Sequence, residues 1–160
     1  VDLLGVKFIL SLSELDSPKL KKVFQEGETR IYQNVNVLPR AFFVSKIIPV
    51  RDNEDAIGKM FEESFNFNTD AIVENADEKL LNMKQAEIGD AKITYYSENK
   101  VSIETDNSEE GFLVLTDSFY PTWNAKIDSK KENIYRADYN FRGIIIPAGK
   151  HKIEFYNSLF

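Results

Sequence analysis

Apolar and polar positions alternate in short runs along this chain, and the runs crowd together after residue 90. Ile93 and Tyr95 alternate with Lys92, Thr94 and Tyr96, and Val101, Ile103 and Thr105 with Ser102 and Glu104. That period of two predicts half-buried strands, and Ser97-Glu98-Asn99-Lys100 between them reads as a hairpin turn. Residues 112–115 are an unbroken apolar run, as expected of a strand covered on both faces. Tyr120-Pro121 turns the chain, after which Trp123, Ala125 and Ile127 face one way and Asn124, Lys126 and Asp128 the other. A turn over 129–132 and strands over 134–137, 141–146 and 151–156 complete the series, the last two joined by Pro147-Ala148-Gly149-Lys150. Six or so short strands in about 70 residues predict a sandwich or an open barrel.

The first half is less regular. Residues 6–10 (Val-Lys-Phe-Ile-Leu) read as a strand. Ser17 as cap, Pro18 at the first helical position and Gly27 as a left-handed stop predict a short helix over 17–27, with Leu20, Val23 and Phe24 on one face. Strands are predicted over 30–34 and 41–49, with Pro39 confining the link to an edge or turn. Asp52 or Asn53 caps a second helix whose first turn is acidic (Glu54, Asp55) and whose stripe of Ile57, Met60, Phe61 and Phe65 predicts core packing. Residues 71–73 suit a brief strand. Residues 75–90 are polar and read as a loop, or as a seam between subdomains, with 91–160 as the sandwich core. The expected class is mainly β (α+β): an antiparallel, jelly-roll-like β-sandwich with one or two short helices in the N-terminal half, and one domain over 1–160 whose halves share a core.

Composition sharpens this picture at three points. Twelve Phe, seven Tyr and one Trp favour pleated surfaces. A net charge of −6, with Lys19, Lys21 and Lys22 the one local basic cluster, argues against nucleic acid as a partner, because phosphate binding needs a basic stripe. The absence of cysteine removes disulfides, thiolate catalysis and most zinc sites. No run reaches the ~20 apolar residues of a membrane span, and neither a leader nor an initiator Met is present, so the chain reads as a soluble piece of a longer polypeptide.

Candidate chemistry is sparse. The one histidine, His151, follows a glycine turn and has no nucleophile motif beside it, so it reads as a turn-proximal surface residue. Asp106, Asn107, Glu109 and Glu110 lack calcium-loop spacing and read as a solvated hairpin tip. Asp117, Asp128 and Asp138 lie near strand ends, where a glycosidase would need two carboxyls about 5–9.5 Å apart. The densest segment is 115–123, which sets Asp117 beside Tyr120 and Trp123. Aromatic faces with a nearby carboxylate suit a sugar, although Trp123, in phase with Ala125 and Ile127, better suits the core and leaves Tyr120 and Asp117 freer to be functional. No catalytic residue, metal ligand or cofactor site is assigned.

The stretch 113–128, Leu-Val-Leu-Thr-Asp-Ser-Phe-Tyr-Pro-Thr-Trp-Asn-Ala-Lys-Ile-Asp, resembles the C-terminal region of YfhO-type bacterial membrane proteins. Residues 135–143 (Tyr-Arg-Ala-Asp-Tyr-Asn-Phe-Arg-Gly) and 146–151 are similar to that family's next two strands. Residues 5–10, Tyr32-Gln33-Asn34 and Leu38-Pro39-Arg40-Ala41 resemble its opening segments. Thr122 stands where the family pattern has Gly, Ser129 where it has the Gly of an Asp-Gly turn, and Asn157-Ser158 where a Pro-containing tail is common. The resemblance implies a multi-span parent similar to membrane glycosyltransferases that use lipid-linked sugars, whose catalytic acid lies in another loop. This segment would then be a non-catalytic extracytoplasmic domain on the outer face of the cytoplasmic membrane, with Phe160 near a final membrane helix. Its partners would be the transmembrane part of its own chain and a cell-envelope glycan or polymer. Asp117, Tyr120, Trp123 and Arg142 are the residues expected to meet such a ligand, with Tyr120, Asp117 and Arg142 near one exposed edge. The rival readings are a free-standing carbohydrate-binding module and a glycosidase-like enzyme working through Asp117 or Asp128.

Overall fold

The computed structural model describes residues 2–83 and 89–159, so the expectation for Phe160 lies outside the described residues. By compactness the chain divides into two units, Val1–Arg40 and Ala41–Phe160, and residues 75–83 and 89–90 of the predicted loop fall inside the second, while its residues 84–88 lie outside the described residues.

The first unit is a three-stranded antiparallel sheet of β1 (Phe8–Ser11), β2 (Leu20–Glu26) and β3 (Thr29–Asn34), with β3 in the middle. The helix predicted over 17–27 is not formed, and its residues make β2 instead. Pro18 starts a turn closed by the Leu20 N–H donating to the Ser17 carbonyl, and Gly27, at φ 55°, occupies the first position of a two-residue hairpin loop rather than a helix stop. The helical spacing of Leu20, Val23 and Phe24 comes from a bulge: the register slips between Lys22 and Phe24, leaving Val23 as an extra residue. A helix of about ten residues is marginal alone, and the β3 ladder outweighs its local signals.

The second unit is a sandwich. Its five-stranded antiparallel sheet runs β11 (Lys130–Glu132), β10 (Trp123–Ile127), β14 (Gly149–Asn157), β8 (Lys100–Asn107), β7 (Asp90–Tyr96). Its six-stranded sheet runs β4 (Ala41–Val44), β9 (Gly111–Ser118), β13 (Phe141–Ile146), β12 (Tyr135–Ala137), β6 (Asp70–Glu74), β5 (Lys46–Val50). Phe43, Leu113, Leu115, Ile144 and Ile146 of one sheet meet Val101, Ile103, Ile127, Ile153 and Phe155 of the other in one core. The mainly β class with two short helices thus holds, and the strands predicted from residue 91 onward are present.

Four local expectations are corrected. The single strand predicted over 41–49 is two strands, parted at Ser45, whose N–H and that of Lys46 both donate to the Thr69 carbonyl. β4 and β5 occupy opposite ends of the six-stranded sheet although one residue separates them, so that sheet curls until its ends approach at Ser45. β5 pairs with β6 in parallel through α1 (Asn53–Met60), a crossover that no local pattern announced. Of the two residues that could cap α1, Asp52 does so, its side chain accepting from the Asp55 N–H. The stripe is only half buried: Ala56 seats the helix against Val50 and Ile72, with Met60 and Phe65 alongside, while Ile57 is exposed and Phe61, just past the helix, is 86% exposed. Within the polar stretch 75–90, Asp77 caps a one-turn helix, α2 (Glu78–Leu81), and Leu80 is buried. The turn placed over 129–132 is shorter, a two-residue loop of Asp128 and Ser129, and Lys130 to Glu132 belong to β11.

Candidate functional site

Three of the four candidate residues meet at one end of the sandwich. Asp117 stands near the end of β9, and Arg142 follows the irregularity at the start of β13. Arg142 Nη2 donates to Asp117 Oδ2 at 2.8 Å, and the Tyr96 hydroxyl of β7 donates to the other oxygen, Oδ1, at 3.2 Å. The guanidinium lies 3.8 Å from the centre of the Trp123 ring and 5.4 Å from that of Phe155. Trp123 and Phe155 belong to the five-stranded sheet and Arg142 to the six-stranded one, so the stack joins the two layers.

Burial decides what this arrangement can do. Only 2% of the Arg142 side chain is exposed, and 10% of that of Asp117. Desolvation works against the charge of Arg142 and lowers its pKa, while Asp117 and Tyr96 act the other way. Among the described residues, Arg142 Nε and Nη1 have no hydrogen-bond partner, so the cation depends on one carboxylate and on the faces of two rings. Tyr120 is set apart: it is 62% exposed, its carbonyl accepting from the Trp123 N–H across the turn. The structure therefore brings Asp117, Trp123 and Arg142 together inside the fold and leaves Tyr120 outside. Sequence reasoning missed Tyr96 and Phe155, because cross-sheet neighbours carry no mark in the local pattern.

A second polar cluster lies beside an open cleft of about 720 Å³. His151 is 17% exposed. Its Nδ1 lies 2.6 Å from Asp128 Oδ2, and its Nε2 lies 3.1 Å from the Ala148 carbonyl oxygen. The Asp128 carboxylate and the Ala148 carbonyl both raise the imidazole pKa, since each accepts from the doubly protonated ring. Asp128 also accepts from the Lys152 N–H, and that bond, followed by the one from His151, lowers its own pKa. Along the cleft, Lys92, Glu104 and Lys152 stand opposite one another in register, a ladder of alternating charge. Asp138 is engaged elsewhere: its Oδ1 accepts from the Ile72 N–H and its own N–H donates to the Ile72 carbonyl. Burial, with a smaller contribution from Asp70, pushes its pKa up to about 7. The three aspartates considered for hydrolysis thus sit in three separate hydrogen-bond arrangements. Asp106 pairs with Lys150, and Asn107 donates to backbone carbonyls of Glu109 and Pro147, so the acidic loop holds itself together.

A mainly β domain whose polar candidates are bonded chiefly to one another is the class that this geometry defines. The family described as bacterial membrane protein YfhO matches residues 57–157, and the chain belongs to that family. It is also similar to a Bacillus subtilis (strain 168) protein described as uncharacterized protein YfhO, at 23% identity over 134 residues. That match covers 84% of this chain but spans only 14% of the relative's length. No solved structure matches the chain. Among the described residues no helix is long and apolar enough to cross a membrane.

Proposed function

We propose that this chain is a non-catalytic, extracytoplasmic accessory domain of a multi-span membrane protein similar to glycosyltransferases that use lipid-linked sugars, and that its main task is to brace the membrane-embedded part of that protein. The observation that supports bracing is the Arg142 stack. The side chains best suited to hold a ligand, Asp117, Arg142 and Trp123, are spent on tying one sheet to the other. A second reading, presentation of a cell-envelope glycan, draws on Tyr96 and Tyr120. Both are exposed, one touches Asp117, and the other follows it by three residues, so their rings offer stacking surfaces for a sugar.

Two experiments test these readings. The first concerns the side of the membrane. Glu98, in the exposed turn between β7 and β8, is changed to Cys in the full-length protein. A membrane-impermeant maleimide should label it in intact cells, and labelling only after permeabilisation overturns the extracytoplasmic placement. The second is a titration of the 160-residue chain with cell-wall glycans and teichoic-acid fragments, followed by NMR. Bracing alone predicts no shift at millimolar ligand, whereas shifts confined to Tyr96 and Tyr120 favour presentation.

A further inference from the structure

One face of the sheet in the N-terminal unit exposes large apolar side chains. Cross-strand partners share a face, so the register places Leu10, Ile31 and Phe24 in one row and Phe8, Gln33 and Lys21 in the next. Phe8 is 55% exposed, Leu10 67% and Phe24 47%. The opposite face holds Tyr32 and Asn34, both buried and both hydrogen-bonded: the Tyr32 hydroxyl accepts from the Leu15 N–H, and the Asn34 amide donates to Asp2 and to the Val6 carbonyl. A sheet with one wet face normally points its apolar side chains inward. Here the opposite face also carries the partly buried Ile9 and Leu20, so the exposed Phe8, Leu10 and Phe24 are apolar surface beyond what the sheet buries, which marks a contact surface.

Charge indicates what the contact is. Lys7 and Lys21 flank the Phe8 end of the face, Lys7 with its ammonium 5.8 Å from the centre of the Phe8 ring, and Glu26 lies at the other end, beside the Gly27 hairpin. Val1–Arg40 carries six Lys and Arg against five Asp and Glu, while the rest of the chain carries fourteen against twenty-one. The one unit that an anionic surface does not repel is therefore the unit with the outward apolar face. Aromatic and aliphatic side chains edged by lysines suit the boundary between acyl chains and anionic headgroups, and the family is one of membrane proteins.

We propose that this face, Phe8, Leu10, Phe24 and Ile31 with Lys7 and Lys21 at its rim, is a membrane-docking surface that rests in the lipid–water interface. Docking holds whichever leaflet faces the domain, so its failure and that of the extracytoplasmic reading are separable. The test is co-sedimentation of the 160-residue chain with phosphatidylcholine vesicles and with vesicles of equal phosphatidylcholine and phosphatidylglycerol. Binding to the anionic vesicles is expected to weaken as salt rises. The triple variant F8S/L10S/F24S, altered only at exposed positions, should partition at least about tenfold more weakly with its thermal melt unchanged. The pair K7E/K21E should weaken binding to the anionic vesicles. No sedimentation with either vesicle, or equal binding by the triple variant, overturns the proposal. Self-association that the triple variant abolishes, without vesicle binding, also overturns it and assigns the face to a second copy of the chain.

Discussion

The Arg142 guanidinium lies 3.8 Å from the centre of the Trp123 ring, on the strand of one sheet and against the strand of the other. Its charge is balanced at one point, Asp117 Oδ2, at 2.8 Å. Removing that carboxylate leaves a cation buried without its counter-charge, a change that costs roughly 3–5 kcal/mol. Asp117→Ala should therefore lower unfolding stability by that order in urea titration. Replacing Arg142 and Asp117 together by Met and Leu should recover most of the loss, because an apolar pair of similar volume avoids the desolvation cost. A double variant as unstable as Asp117→Ala would show that the stack contributes more than charge balance.

Ser129 supports a second prediction. Asp128 and Ser129 form a two-residue hairpin loop with both φ angles positive, 48° and 74°. That turn prefers Asn or Asp followed by Gly, and a serine at the second position carries steric strain. Ser129→Gly should raise stability by about 0.5–1 kcal/mol, read as an upward shift of the thermal midpoint. The register explains why the loop tolerates serine: Ile127 pairs with both Lys130 and Ile153, so the hairpin is held from two sides.

Asp138 makes stability fall as pH rises. Its folded pKa, about 7, exceeds the ordinary value of 3.8, so between those limits the folded chain binds more protons than the unfolded one. The contribution is full below about pH 4 and is lost on the way to pH 7, on the order of 4 kcal/mol in total. Asp138→Asn keeps an acceptor for the Ile72 N–H and tolerates the left-handed φ of 45°. Denaturant midpoints from pH 4 to 7 should be flatter in this variant than in the parent.

His151 acts in the same direction at higher pH. Its folded pKa is raised by Asp128 and the Ala148 carbonyl, so its contribution is complete below the ordinary value of 6.5 and disappears as pH climbs through the folded value. His151→Asn should lower stability below pH 6.5, where the pair contributes in full, and flatten the fall above it. An NMR titration of the ring protons gives the direct check, since an unshifted midpoint would contradict the pairing.

Gly143 offers a packing test. It pairs with Val114 and Tyr135, and a Cβ there would run into the Phe112 ring. Gly143→Ala should cost about 1–3 kcal/mol through overpacking. Adding Phe112→Leu should relieve part of it, which equilibrium unfolding of the three variants would resolve.

Alternation along residues 91–96, 101–105 and 123–127 was enough to predict strands, since a period of two is a property of neighbouring residues. Asp52 was legible as a cap for the same reason. The candidate site was legible only in part. Asp117 and Trp123 lie six residues apart and could be grouped by sequence, and Arg142 was added through a family resemblance. Tyr96 reaches the same point from 21 residues before Asp117, and Phe155 from a different sheet 13 residues after Arg142, so no local signal marks them. Nor could a sequence show that Arg142 would be 2% exposed, because burial there comes from two sheets closing over it.

By itself, the sequence determined the β-rich class, the capped helix α1 and most strand positions, because these follow from side-chain alternation and from the few residues able to cap or turn. Tertiary structure alone decided that 20–26 is a strand, that 41–49 breaks at Ser45, that β5 and β6 run parallel, and that Asp117, Asp128 and Asp138 each take a different partner. Each of these outcomes depends on a hydrogen bond or charge supplied by a distant segment, and its free energy exists only once the chain has brought the two together.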